Sequence, residues 1–177
     1  MPSIKTNLLK TGLNPTTNAK FLHLGIPAVL IGQVIGDAPL SAGYHAVDGQ
    51  WLDTSADPAK WIDYCAAVDL RPGHFDMSGA ERPMTGQAIH DLVSAGSLLG
   101  LCMFFRHPGF DGTPISWPVH IHLVDAEVKM KPELRGQVLD FCIGLNGLAD
   151  QRMYNFFRPS RYAVGVIRAM LNNHNPQ

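Results

Sequence analysis

WPVHIHLVDAEVKM, residues 117–130, decides how the chain is read. Val119, Ile121 and Leu123 alternate with His120, His122 and Val124, the period of two that a β-strand requires. At about 3.3 Å per residue the two imidazoles lie roughly 6.6 Å apart along the strand, on one face. The Val119, Ile121 and Leu123 face is expected to pack on helices. One histidine in such a strand would be ordinary sheet surface. Two on one face, backed by apolar residues, point further, because neutral imidazole is the commonest protein metal ligand and a strand preorganises the pair. Partners for them must come from elsewhere in the chain.

Working outward, LCMFFRH (101–107) reads as a short buried strand, and PGFDGTPISWP (108–118) as a turn-rich connector too short for a helical crossover. Strands 101–107 and 119–128 are therefore expected to run antiparallel. TGQAIHDLVSAGSLLG (85–100) carries Ile89, Leu92, Val93, Gly96 and Leu99 at helical spacing, with Thr85 as N-cap. KPELRGQVLDFCIGLNG (131–147) begins a helix at Pro132, stripes Leu134, Val138, Phe141, Cys142 and Leu145, and is expected to stop at Gly147. SRYAVGVIRAMLNN (160–173) is a helix capped by Ser160.

The N-terminal half is less regular. KTGLNPTTNAKFLHLG (10–25) predicts a loop and a short helix ending at Gly25. IPAVLIGQVIG (26–36) reads as a strand in which Gly32 marks a bulge or the close approach of another backbone. Residues 37–60 form a long irregular stretch holding His45, and PAKWIDY (58–64) a short helix. In YCAAVDLRPG (64–73) a strand ends at Asp69–Leu70, with Ala67 and Asp69 on one face and Ala66, Val68 and Leu70 on the other; GHFDMSGAERPM (73–84) reads as a loop. The whole predicts one α+β domain over 1–177 with a mainly antiparallel central sheet flanked by helices. Its parts are an N-terminal helix and strand to about residue 40, a metal-site core over 41–147, and a tail with helix over 148–177.

Composition limits the partners. With 46% hydrophobic residues, 16% charged and a net charge of −1, the 177 residues suit an ordinary globular protein and offer no basic field for nucleic acid. Cys65, Cys102 and Cys142 are odd in number, far apart and set in apolar segments, which predicts buried free thiols and a reducing compartment. No apolar run approaches the roughly 20 residues of a membrane span, and MPSIKTNLLKTGLNP lacks a signal-type apolar core. The expectation is a chain made as a soluble cytoplasmic protein.

SAGYH (41–45), CAAVDL (65–70) and VHIHLVD (119–125), in that order, resemble the zinc peptidases that cleave peptidoglycan cross-link peptides. These are the D-alanyl-D-alanine carboxypeptidase and endopeptidase group, related in fold to the Hedgehog signalling domain. The resemblance implies that His45, Asp69 and His122 hold Zn2+ and that His120 is the catalytic histidine, the roles of His120 and His122 being exchangeable. It implies a peptidoglycan peptide as substrate and an amide bond involving D-alanine as the one cut. Without a signal peptide, phage-type release or a dedicated secretion system would carry the protein to the wall. Two imidazoles and a carboxylate also leave a tetrahedral zinc one open position for water, as a catalytic site needs. Trp117 and Val119 occupy positions where related enzymes carry a carboxylate base, which leaves His120, or a carboxylate from elsewhere such as Asp76, for that task.

Other residues have lesser roles in this reading. Tyr44 can hydrogen-bond a transition-state oxygen, and Arg71, Arg106 and His107 flank strand ends where a peptide carboxylate would bind. RMYNFFRPSRY (152–162) either covers the core or binds a glycan or partner. Two rival functions are a non-catalytic cell-wall or partner-binding domain on the same fold, and a cupin-type metal-dependent oxygenase using His120, His122 and Glu127.

Overall fold

The computed structural model describes Leu9 and residues 13–32, 66–130 and 132–175. The expected strand after Gly32, the helix at 58–64, the long stretch at 37–60, and Tyr44, His45 and Cys65 lie outside the described residues.

Helix α1 (Pro15–His23) starts where Asn14 accepts the Thr16 N–H and Pro15 fills the first turn; it ends before Gly25, whose φ of +69° suits a residue without a Cβ. Residues Ala28–Leu30 form a 3₁₀ turn where a strand was expected, and among the described residues of that segment Ile31 bridges to a strand, at Leu70. Pro27 supplies no N–H, and with φ −76° it sets up the turn. The close approach expected at Gly32 is present: its N–H donates to Asp69 O at 2.7 Å, and a Cβ there would lie 3.0 Å from that oxygen.

Strand β1 (Ala67–Leu70) follows, then a hairpin of β2 (Gly73–Phe75) and β3 (Glu81–Pro83) where the sequence suggested a loop. Its turn is built by Asp76, whose Oδ1 accepts from Ser78 N, Ser78 Oγ and Ala80 N while Oδ2 accepts from Arg82 Nε. Helix α2 (Gly86–Leu98) is capped by Thr85 as expected, and β4 (Leu101–Arg106) and β5 (His120–Asp125) follow. Helix α3 (Pro132–Ile143) stops at Gly144, φ +81°, and α4 (Arg161–His174) is capped by Ser160.

The main sheet is antiparallel in the order β1-β5-β4, so the histidine strand is central. Its register puts Ala67, Asp69, His120, His122, Val124, Cys102, Phe104 and Arg106 on one face. Val68, Leu70, Ile121, Leu123, Asp125, Leu101, Met103 and Phe105 share the other. The fold is thus α+β, with helices on both faces. On the apolar face α2 lies so close that a Cβ on Gly96 would be 2.5 Å from Met103 Sδ, and α1 reaches the end of β5 through Lys20 and Thr17, both bonded to Asp125. On the histidine face α3 packs Phe141 edge-on to Phe104, ring centroids 5.3 Å apart. Helix α4 packs against both α2 and α3 and links the two layers.

The aromatic tail divides. Tyr154 and Phe157 are buried, and the Tyr154 hydroxyl accepts the Phe105 N–H at 2.6 Å, closing the outer edge of β4. Cys102 is buried as a free thiol, and burial pushes its pKa well above the usual value. Among the described residues no helix is long and apolar enough to cross a membrane.

Candidate functional site

The register of β1 and β5 sets Asp69 directly opposite His122. Side chains at paired positions of an antiparallel ladder stand on the same face within contact distance. His122 Nδ1 accordingly lies 2.9 Å from Asp69 Oδ1. The sequence put these two residues on different segments 53 positions apart, and the sheet brings them together.

The histidine face is not open, as a sheet surface carrying two imidazoles would be. Helix α3 covers it: His122 is only 7% exposed, its Nε2 lies 2.9 Å from Gln137 Oε1, and its ring stacks near Phe104, centroids 6.4 Å apart. Gln137 went unnoticed in the sequence. Its signal was there, because a glutamine three residues after Leu134 and four before Phe141 falls inside the apolar stripe of α3.

His120, at the start of β5, is less buried. Its Nδ1 lies 2.7 Å from Pro118 O, and the Trp117 ring centroid is 5.9 Å from its own. A carbonyl only accepts, so Nδ1 carries the hydrogen and Nε2 is the basic nitrogen of this ring. Across the ladder His120 pairs with Arg106, which is buried with its guanidinium carbon 4.8 Å from the Phe104 centroid, a cation–π contact.

Arg71, two residues beyond Asp69, donates to Val29 O and pairs with Glu81 at 3.1 Å. It lines a shallow cleft with Gly73, Glu81, Arg82, Pro83 and Val119, the residue before His120 in the sequence. Asp76 is committed to the hairpin: the Ser78 hydroxyl first, then Arg82 and the Ala80 amide, hold its carboxyl down at about 2. Glu127 turns to Lys20, 2.9 Å away, on the side of the α1 anchor. His120, His122 and Glu127 therefore do not form one cluster. Among the described residues no three His, Cys, Asp or Glu side chains are grouped to hold a metal; Asp69 and His122 supply two donors, and His45 and Tyr44 lie outside the described residues.

Compared with protein-family models, curated proteins and solved structures, the chain matches none.

Proposed function

We propose that the chain is a zinc-dependent hydrolase that cuts an amide bond in a peptidoglycan cross-link or stem peptide, one involving D-alanine, on a Hedgehog-type fold. The observation that carries it is the approach of Asp69 Oδ1 and His122 Nδ1 to 2.9 Å on a covered sheet face. Zinc bonds of about 2.0–2.1 Å at tetrahedral angles separate two donor atoms by roughly 3.3 Å, so this pair fits a shared ion after opening by a few tenths of an ångström. Asp69 and His122 would hold the metal with His45 as the third ligand. The resemblance of SAGYH, CAAVDL and VHIHLVD to cell-wall peptidases supplies His45 and the substrate.

Zinc bound there would bring the pKa of a bound water toward about 7 and polarise the scissile carbonyl. Hydrolysis adds hydroxide to the carbonyl carbon and a proton to the departing amine. His120 Nε2 takes the water proton and returns it to the amine nitrogen, with Nδ1 held by Pro118 O so that the basic nitrogen stays the same throughout. Arg71, in a cleft that Val119 also lines, would bind a substrate carboxylate, and Tyr44, beside His45 in the sequence, would hydrogen-bond the carbonyl oxygen.

A second reading, a non-catalytic domain that binds the cell wall or a partner, draws on one observation: both ring nitrogens of His122 have hydrogen-bond partners within the chain, as a structural core histidine would. Digestion of purified peptidoglycan, with fragments read by mass spectrometry, separates the two. Wild type releases new amine termini, and His120→Ala and His122→Ala do not. Intact peptides after treatment with zinc-loaded wild type would leave the binding domain.

A further inference from the structure

At the opposite end of β5 from His120, Asp125 and Glu127 meet helix α1 through Lys20. An open cleft of about 540 Å3 lies there, within the roughly 300–1,000 Å3 that small-ligand sites occupy. It is lined by Pro15, Ala19 and His23 along one face of α1, by Leu99 at the end of α2, and by Lys20 and Glu127. Lys20 Nζ is 2.6 Å from Asp125 Oδ1 and 2.9 Å from Glu127 Oε2, so two carboxylates share one ammonium. Asp125 is fully buried, whereas the Glu127 side chain is 32% exposed and lines the cleft, so the excess negative charge faces the cleft through Glu127.

Two helices also end at this cleft. His23 is the last residue of α1 and Leu99 the C-cap of α2, and the carbonyls of a helix C-terminus act as about half a negative elementary charge. An anion entering here would meet all of this charge with the Lys20 ammonium already shared by two carboxylates. A cation meets complementary charge, and Pro15, Ala19 and Leu99 give apolar contact to a carbon chain. We propose that the cleft binds a primary alkylammonium group, with Glu127 as counter-ion and the alkyl chain against Pro15, Ala19 and Leu99. The site shares no residue with Asp69, His120 and His122 and does not depend on a metal there. A free amine and the lysine side chain of a peptide present the same group.

The test is an NMR titration of the full chain at about pH 8, where an ordinary histidine is neutral and an alkylamine charged. The ligands are n-pentylammonium, pentanoate, n-pentanol and a lysine blocked at both its α-amino and carboxyl groups. The proposal expects saturable shifts of the Ala19, Leu99 and Glu127 amides with pentylammonium, and none with pentanoate. Glu127→Gln keeps an oxygen for Lys20 but removes the charge, and affinity should fall by about 10–100-fold. Ala19→Leu fills the cleft without touching a charge and should abolish binding. A blocked lysine that binds as tightly as pentylammonium assigns the cleft to a peptide, and pentylammonium binding alone assigns it to a free amine; both support the proposal. Pentanoate or pentanol binding there as tightly as pentylammonium, unchanged affinity in Glu127→Gln, or no saturable shift with either amine overturns it. If Ala19→Leu does not fold, Glu127→Gln decides.

Discussion

His122 and Asp69 occupy paired positions on β5 and β1, and their Nδ1 and Oδ1 atoms lie 2.9 Å apart beneath helix α3. Removing the imidazole strips a hydrogen-bond partner from both Asp69 and Gln137, so His122→Ala is expected to lose about 1–3 kcal/mol of stability without metal. Zinc at 100 times its Kd adds about 2.7 kcal/mol to wild type by mass action. Urea unfolding with and without zinc should show that gain in wild type and none in His122→Ala.

Lys20 and Asp125 form the buried anchor between α1 and the end of β5. Lys20 Nζ lies 2.6 Å from Asp125 Oδ1 and 2.9 Å from Glu127 Oε2, while Asp125, fully buried, also accepts from the Thr17 hydroxyl and the Glu127 N–H. Lys20→Met leaves a buried carboxylate without its cation, at a cost of about 3–5 kcal/mol. Thr17→Val removes one neutral donor, and about 1–3 kcal/mol is the expected loss. Denaturant midpoints of the two variants rank them.

Tyr154 closes the β4 edge with a hydroxyl that accepts the Phe105 N–H and is itself pushed up in pKa by burial. Tyr154→Phe leaves that amide without its acceptor, and a loss of about 1–3 kcal/mol follows. Hydrogen exchange should show the Phe105 amide losing protection more than its neighbours in β4.

Asp76 gives the hairpin a pH dependence. Its carboxyl titrates at about 2 in the folded chain against an ordinary 3.8, through the Ser78 hydroxyl, Arg82 and the Ala80 amide. A depressed folded-state pKa contributes stability above the unfolded value, and that contribution is lost as pH falls from about 4 toward 2. Amide shifts of Ser78 and Ala80 should therefore move with a midpoint near 2, and Asp76→Asn should abolish the transition.

Much of the fold was legible where side chains have a face to show. The 3.6-residue spacing of Ile89, Val93 and Gly96, the caps Thr85 and Ser160, and the alternation through Ile121 and Leu123 each mark an element that the structure contains. The β2–β3 hairpin was not legible, because GHF and ERP carry no alternating apolar pattern and are held by one aspartate in the turn. Ala28–Leu30 reads as strand from its Val and Leu, yet local i→i+3 bonds behind Pro27 make a 3₁₀ turn. For the site, the sequence pointed to Asp69 and His122 as partners, and the ladder puts them opposite each other. That α3 covers the pair was harder to read, since which helix lands on which sheet face is a tertiary choice. Gln137 was the clue, one polar residue in an apolar stripe.

The most direct test of the account is the zinc content of the purified full chain at neutral pH, compared with Asp69→Asn and His122→Ala. The account predicts one zinc per wild-type chain, lost on chelation and regained on adding zinc, and none tightly held by either variant. Wild type that binds no zinc, or variants that bind it as tightly as wild type, would contradict it.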